Sequence, residues 1–166
     1  KRLGELQLDC FETHYGLKNY SIVRPANIYG EYDEFGEEST VIASLVKKGC
    51  NDKLLSVWGD GTPKREVIYV DDIADACVHF MKKKFKETVI NIGTGKDFSI
   101  NEYAKIILNL IIPYKKIKIR YDKSKPNGTP RKVMDVSLAN KYGWRSKVNL
   151  KEAILLTYSD YLLKKR

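Results

Sequence analysis

A tryptophan and an arginine flank a glycine-proline turn in the middle of the chain, at Trp58 and Arg65. Glycine lets the backbone pass close to a ligand, and proline fixes the turn. An arginine held beside such a turn can offer two parallel hydrogen bonds to a phosphate group. The segment therefore predicts a site for a phosphorylated ligand, although it would also suit an ordinary loop, with Trp58 packed in the core.

Two adjacent carboxylates follow at Asp71 and Asp72, where an apolar strand gives way to a helix. Paired carboxylates can divide the roles of acid and base in catalysis. At the start of a helix, however, they are more typical of caps. We therefore predict that Asp71 or Asp72 caps the helix and that neither is catalytic. The later Gly93-Thr94-Gly95 is too short to define a phosphate-binding loop and is interpreted as a turn.

Helical and extended patterns alternate around these residues. Strand patterns cover residues 20–24, 54–58, 66–70, 88–92 and 117–121. Helical patterns include a stripe of Leu3, Leu6 and Cys10 that Gly16 ends, a segment over 39–48, and two helices that begin at the capping motifs of Ser99 and Asn149. This alternation predicts an α/β fold.

The composition argues against several classes of protein. The 166 residues are 43% hydrophobic and 31% charged, as in an ordinary globular domain. The sequence contains no apolar run of about 18 residues, so we predict no membrane span. Three separated cysteines and two histidines (His14 and His79) form no metal-binding pattern, which predicts no metal site and reduced thiols in a cytoplasmic protein.

The net charge of +9 would be compatible with nucleic-acid binding. A steep salt dependence of binding to DNA or RNA would be the evidence for it. The lysines lie in short runs that contain no nucleic-acid recognition motif. We therefore predict solvated surfaces and an anionic small molecule, and no nucleic-acid partner.

Several segments are similar, in order and spacing, to the C-terminal half of the extended short-chain dehydrogenase/reductases that act on nucleotide sugars. They are KRLGE at 1–5, RPANIYG at 24–30, the run from Trp58 to Asp72, NIGTG at 91–95, and SKPNGTPRK at 124–132 with YGW at 142–144. The SKPNGTPRK run points to the GDP-L-fucose synthase branch of this family. The similarity covers essentially the whole chain.

The resemblance implies a domain organisation. Residues 1–30 would end a Rossmann-type cofactor domain, and residues 31–166 would mainly form a substrate-binding lobe, with segments near 66–92 returning to the sheet. The glycine-rich cofactor turn and the catalytic tyrosine are expected upstream, because no such fingerprint occurs here. A homodimer that pairs through the first helix is a further implication.

The resemblance also assigns functional residues. Lys1 matches the lysine that lowers the pKa of the catalytic tyrosine and binds the nicotinamide ribose. NADP(H) is assigned to Lys1, Pro25, Ala26, Asn27, Ile28 and Thr40, with NADH left open. The sugar nucleotide is assigned to Lys48, Trp58, Arg65 and Lys132. Lys48 stands where the family has an arginine, so it keeps the charge but loses the fork of donors.

One departure from the family changes the predicted reaction. GDP-L-fucose synthases invert C3 and C5 of a GDP-linked 4-keto-6-deoxy sugar and then reduce C4, and a histidine before the second helix serves the inversion. Thr40 occupies that position here. Threonine does not exchange protons at neutral pH without an activating base, and Glu37 or Glu38 are the alternative acids.

The resemblance and this departure therefore predict an NADPH-dependent reductase of a GDP-linked 4-keto-6-deoxy sugar that has lost or weakened its epimerase step. A complete GDP-L-fucose synthase and a non-catalytic sugar-nucleotide-binding relic are the alternatives. Sugars of six and of seven carbons are both open.

Overall fold

The computed structural model describes residues 2–36, 39–51, 53–82, 85, 88–114 and 117–165. Within these ranges the helices are α1 (Arg2–Tyr15), α2 (Val41–Asn51), α3 (Val70–Met81), α4 (Ile100–Ile111), α5 (Ser137–Lys141) and α6 (Leu150–Lys164). The strands are β1 (Ile22–Pro25), β2 (Asn27–Tyr29), β3 (Leu54–Trp58), β4 (Lys64–Arg65), β5 (Val67–Tyr69), β6 (Val89–Ile92), β7 (Phe98–Ser99), β8 (Lys118–Asp122) and β9 (Arg131–Lys132). The alternation confirms the predicted α/β class.

Parallel strand pairs organise the fold. β1 pairs with β6, β2 with β5 and β3 with β8, all in parallel. β4 lies between antiparallel β7 and parallel β9, which sets Arg65 opposite Lys132. Parallel partners cannot be joined by a tight turn, so the chain crosses between β2 and β5 through α2. The domain boundary predicted at residue 30 stays a prediction. β1 and β2 pair with β6 and β5, which lie in the segments near 66–92 that were expected to return to the sheet.

Two buried clusters hold the helices against these strands. The larger packs α2, α4 and α6 around β3, with Leu55, Ile107 and Ile154 fully buried. The smaller packs α3 and the segment after α5 on β5 and β6 through Phe80 and Trp144. Burial of an aliphatic or phenyl side chain of this size stabilises the fold by roughly 1.5–3 kcal/mol. The strands that carry the candidate site are therefore backed by packed helices.

Side-chain caps begin two helices where the sequence predicts them. Ser99 and Glu102 form a reciprocal capping box at α4, in which the Glu102 carboxylate accepts the Ser99 N–H at 2.7 Å. At α6, the Asn149 side-chain oxygen accepts the Lys151 N–H at 2.9 Å. Each cap satisfies backbone donors that the helix itself leaves unpaired.

The predicted cap of α3 by Asp71 or Asp72 is wrong. The helix begins at Val70, its N-cap is Tyr69, and no side chain caps it. Asp72 lies instead in the first turn, where its buried carboxylate accepts the N–H groups of Lys147 at 2.9 Å and Val148 at 3.3 Å. Because the helix starts before both carboxylates, Asp72 ties α3 to the segment that precedes α6.

The first predicted helix forms as α1, and its apolar stripe faces outward. Leu3 and Leu6 are 68% and 59% exposed, and none of the described residues of α1 is buried. An ion pair between Glu5 and Arg24 of β1 joins the helix to the strand at 2.6 Å. Among the described residues, no helix has the length and apolar character required to cross a membrane.

Candidate functional site

A cavity of about 800 Å³ is lined by residues 25–29, 39–42, 65–67 and 132–134, and we call it the strand-end cavity. Its walls come from β1 and β2, the start of α2, the β4–β5 segment, and β9 with the two residues that follow it. The β2–β5 and β4–β9 pairs hold three of these four segments together. Residues more than one hundred positions apart in the chain thus form one wall.

Five of the six residues predicted to contact the cofactor line this cavity. Pro25, Ala26, Asn27, Ile28 and Thr40 all line it. The Ala26 N–H donates to the Ile92 carbonyl at 2.8 Å, and the Asn27 side-chain amide donates to the Glu66 carbonyl at 2.7 Å. The Asn27 amide therefore braces the wall. Lys1 lies outside the described residues, and the roles of all these residues stay predictions.

Thr40 caps α2 as well as lining the strand-end cavity. Its carbonyl accepts the Ser44 N–H at 2.8 Å, and its hydroxyl oxygen lies 3.5 Å from the Ala43 nitrogen. The hydroxyl also donates to the Asp33 carboxylate at 2.6 Å. Threonine is favoured at this helix position for its side-chain oxygen. Glu37 and Glu38 lie outside the described residues.

A second cavity, of about 790 Å³, adjoins the first, and we call it the turn-side cavity. Ser39, Val41 and Arg65 line both cavities, so the two form one groove. Three residues assigned to the sugar nucleotide line the turn-side cavity, namely Lys48, Trp58 and Arg65. The fourth, Lys132, lines the strand-end cavity, opposite Arg65 in the β4–β9 pair.

Backbone carbonyls hold the Arg65 guanidinium in place at the junction of the cavities. Its Nη1 donates to the carbonyls of Lys64 at 2.8 Å and of Thr129 at 2.6 Å. The described residues accept no hydrogen bond from its Nε or Nη2. An oriented guanidinium with spare donors suits a diphosphate, which it can bind in a bidentate manner.

Lys48 and Trp58 border the turn-side cavity from α2 and β3. The Lys48 ammonium donates one hydrogen bond, to the Ser56 carbonyl at 3.1 Å, and an ammonium has three donors. Trp58 is 58% exposed, with the Lys125 ammonium 5.5 Å from its ring centroid. Trp58 is thus not a core residue, and more than half of its surface is exposed to solvent.

The turn-side cavity is cationic. Its described lining includes Lys47, Lys48 and Arg65 and no carboxylate. A concave, one-signed surface raises the local concentration of ligands of the opposite charge. The charge distribution therefore favours an anionic ligand such as a nucleoside diphosphate.

Two turn segments, each containing a Gly-Thr-Pro motif, contact each other beside the turn-side cavity, which Pro63, Pro126 and Asn127 line. The Asn127 side chain, in the second turn, accepts the Asp60 N–H of the first at 2.9 Å. Gly59 has a φ of 67°, and a Cβ there would overlap the Asn127 side chain. The Lys64 N–H donates to the Pro130 carbonyl at 2.8 Å. These contacts hold the two turn segments together.

Glu66 is a part of the site that the sequence did not reveal. It is only 1% exposed, and its carboxylate accepts the N–H groups of Met134 at 2.6 Å and Gly95 at 2.7 Å. A Cβ at Gly93 would overlap this carboxylate. The 93–95 turn thus binds an internal carboxylate, in keeping with its interpretation as a structural turn. Glu66 falls inside the Trp58–Asp72 run, but nothing in that run indicated that its carboxylate would be buried.

The other titratable groups contribute little to the groove. The His79 ring nitrogen lies 3.0 Å from the Tyr142 carbonyl, and His14 lies on α1. Neither histidine lines either cavity of the groove. Tyr29 lines the strand-end cavity, but burial raises the pKa of its hydroxyl. A phenol keeps its proton at neutral pH even at its ordinary pKa, and burial holds Tyr29 further from ionisation.

Solved structures share this architecture over nearly the whole chain. A UDP-glucose 4-epimerase of Thermotoga maritima, solved with UDP-glucose, is 30% identical with a TM-score of 0.87, covering 100% of this chain and 53% of that one. A GDP-mannoheptose C4 reductase of Campylobacter jejuni, solved with NADP bound, is 26% identical with a TM-score of 0.79, covering 98% of this chain and 58% of that one. The fold and groove thus define a protein of the extended short-chain dehydrogenase/reductase class.

The NAD dependent epimerase/dehydratase family matches residues 1–93, and the chain belongs to it. Among curated relatives, the GDP-L-fucose synthase of Escherichia coli is 35% identical over 169 aligned positions, which cover 93% of this chain and 52% of that protein. The predicted family is therefore confirmed. The chain spans about half the length of the curated relatives it matches.

Proposed function

We propose that the protein carrying this chain is an NADP(H)-dependent oxidoreductase that reduces the 4-keto group of a GDP-linked deoxysugar without inverting C3 and C5. The similarity to a GDP-L-fucose synthase and to a GDP-mannoheptose C4 reductase supports the substrate class. The cationic turn-side cavity supports an anionic nucleotide ligand. The UDP-glucose 4-epimerase relative makes UDP the competing nucleotide, which the binding assay below must include.

The strand-end cavity fits the nicotinamide end of the cofactor. Apolar side chains, including Pro25, Ile28, Val67 and Val133, form much of its lining and suit a flat ring, while Lys132 contributes a positive charge. Its volume lies within the range of small-molecule sites, roughly 300–1,000 Å³. When bound, NADPH would supply the hydride that the ketone carbon accepts. The chain's own residues would hold the ring and exclude water from it.

The sugar nucleotide is assigned to the turn-side cavity. The spare donors of Arg65 and the ammonium of Lys48 would bind the diphosphate, and the exposed ring of Trp58 would stack on the base. Because Arg65 lines both cavities, a diphosphate bound there would place the attached sugar toward the strand-end cavity. This arrangement would bring the sugar ketone next to the nicotinamide.

The proposed loss of epimerisation rests on the identity of Thr40 and on the hydrogen bonds of its hydroxyl. This residue occupies the position at which the resemblance puts the histidine that serves the inversion. Its hydroxyl is engaged with the Asp33 carboxylate and caps α2. A hydroxyl in this structural role is a poor proton donor to a carbanion at neutral pH. Hydride transfer to C4 does not require it.

The test uses the full-length protein with GDP-4-keto-6-deoxy-mannose and NADPH in D2O, with NMR of the product. We expect oxidation of NADPH and no deuterium at C3 or C5. Deuterium at both carbons would show a complete GDP-L-fucose synthase and would overturn the proposed loss. No oxidation with six- or seven-carbon GDP-linked 4-keto sugars, together with no preference for GDP over UDP in equilibrium binding, would overturn the reductase itself.

Two further properties follow from the family resemblance alone. A homodimer is proposed through α1, whose exposed Leu3 and Leu6 would suit a helix-to-helix contact. A cytoplasmic location is proposed for an enzyme that consumes NADPH and nucleotide sugars. Sedimentation of the full-length protein, with Leu6→Glu as the comparison, tests the dimer.

A further inference from the structure

Residues 31–36, which we call the site loop, are bound by the far end of α6. The Tyr32 N–H donates to the Asp160 carboxylate at 3.0 Å, and the Lys164 ammonium donates to the Asp33 carbonyl at 3.0 Å. Asp160 and Lys164 also form an ion pair with each other at 3.0 Å. Two backbone groups of the loop are thus bound by one charged pair.

Aromatic contacts reinforce this attachment. The rings of Phe35 and Tyr161 have centroids 4.9 Å apart. The Lys164 ammonium lies 5.7 Å from the Tyr32 ring centroid and 5.6 Å from that of Phe35. A cation at this distance is attracted by an aromatic face. The Lys164 ammonium therefore contacts the backbone of the loop at Asp33 and the side chains of Tyr32 and Phe35.

The backbone of the site loop adopts a conformation that needs outside support. Tyr32 has a φ of 66°, which is uncommon for a bulky residue. Such a conformation persists where the surrounding contacts hold it. The Tyr32 N–H is one of the groups that α6 binds.

The opposite side of the site loop reaches the groove. The Asp33 carboxylate accepts the hydroxyl of Thr40, which lines the strand-end cavity, at 2.6 Å. The Glu31 carboxylate accepts the Tyr69 hydroxyl at 2.7 Å, and Gly36 lines the turn-side cavity. The loop therefore links the end of α6 to the lining of both cavities, through Thr40 in one and Gly36 in the other.

We infer that Asp160 and Lys164 are positioning residues, which act through the site loop to place Thr40 in the strand-end cavity and Gly36 in the turn-side cavity, against the bound sugar nucleotide. The kinetic part of this inference rests on the proposed function. Catalytic and binding groups have to be held within a fraction of an ångström, and supporting contacts determine that geometry. Neither residue lines either cavity, so both would act indirectly.

The experiment compares Lys164→Ala, Lys164→Arg and Lys151→Ala in the full-length protein. Lys151 is an exposed lysine of the same helix, which makes its loss a control for charge. We expect Lys164→Ala to raise the KM for the GDP-linked 4-keto sugar about fivefold to tenfold, with kcat changed less. Lys164→Arg keeps the cation, so its KM should lie close to the wild-type value. Lys151→Ala should match the wild type.

Hydrogen exchange gives a readout that does not depend on turnover. The Tyr32 amide should exchange about tenfold faster in Lys164→Ala than in Lys151→Ala, because its acceptor Asp160 loses the paired cation. Amides in the middle of α6 should keep their protection. A general loss of protection along α6 would show a merely structural role and would overturn the inference.

A double-mutant cycle with Asp33→Asn tests the route. If Lys164 acts through the Asp33–Thr40 bond, the KM effects of the two changes should combine to less than their product. Independent effects would overturn the proposed route.

If the wild type reduces no 4-keto sugar, the proposed function fails, and equilibrium binding of GDP decides the inference. Weaker binding by Lys164→Ala than by Lys151→Ala would support it, and equal binding would overturn it.

Discussion

The Glu66 carboxylate accepts the backbone N–H of Met134 at 2.6 Å, across 68 positions of the chain. The same carboxylate accepts the Gly95 N–H at 2.7 Å, and the carbonyl of Glu66 accepts the Asn27 amide. The nearly inaccessible residue Glu66 thus bonds to three segments, and two of its partners, Asn27 and Met134, line the strand-end cavity.

Replacing the Glu66 carboxylate should destabilise the folded protein. We expect Glu66→Gln to lower the free energy of unfolding by about 1–3 kcal/mol, because an amide nitrogen would face a backbone donor in a buried place. Urea unfolding of the full-length protein measures the change. Glu152→Gln, at an exposed position of α6, should shift stability by no more than about 0.5 kcal/mol. Equal effects of the two variants would contradict the role given to Glu66.

Binding of the sugar nucleotide should depend on the forked donors of Arg65 more than on its positive charge alone. Arg65→Lys keeps the cation but loses the forked donors and the carbonyl contacts that orient them. We expect the KM for the sugar nucleotide to rise about tenfold, with a smaller change in kcat. Arg120→Lys, on exposed β8, is the matched control. A KM that stays at the wild-type value in Arg65→Lys would remove Arg65 from the diphosphate site.

The cap at Thr40 gives a separable prediction about stability. Thr40→Ala should cost about 1 kcal/mol of unfolding free energy, because it removes both the α2 cap and the bond to Asp33. Thr40→Ser keeps the hydroxyl and should cost less. Thermal unfolding of both variants checks the order, and a serine variant as unstable as the alanine variant would exclude the cap as the cause.

The Asp97–Arg131 pair should make stability depend on acid pH. Its hydrogen bond to the Arg131 guanidinium lowers the pKa of Asp97 below the ordinary value of 3.8. A lowered pKa contributes stability that is fully present above the ordinary value and is lost as the pH falls through the folded-state value. We expect the difference in urea midpoint between wild type and Asp97→Asn to be constant at neutral pH and to shrink below about pH 4. A difference that grows with acid would have the wrong sign for this cause.

Local chemistry made much of the secondary structure predictable. The capping motifs at Ser99 and Asn149 were visible in the sequence and are present as caps. The short strands β4, β7 and β9 were not, because two residues carry no alternation to read. The capping role given to Asp71 or Asp72 failed because Asp72 binds backbone amides 75 positions away, a contact that no local pattern encodes.

The site was predictable to a similar degree. Residue types and family resemblance singled out Arg65, Lys48 and Trp58, which the structure gathers in one cavity. The attachment of the site loop to Asp160 and Lys164 was not foreseeable, since it joins segments 128 positions apart. Such contacts depend on how α6 packs on α2 and α4, and packing is set by the whole core.

Because β9 has only two residues, an insertion next to it would change which side chain lines the groove. Its two side chains have different surroundings: Arg131 pairs with Asp97, and Lys132 lines the strand-end cavity. Neighbouring side chains of a strand face opposite ways, so a slip by one residue exchanges them. One codon inserted ahead of Arg131 would set a guanidinium opposite Arg65 in place of an ammonium. A change in the length of the second Gly-Thr-Pro turn would thus change the cavity wall, and with it the ligand preference, although no existing residue is substituted.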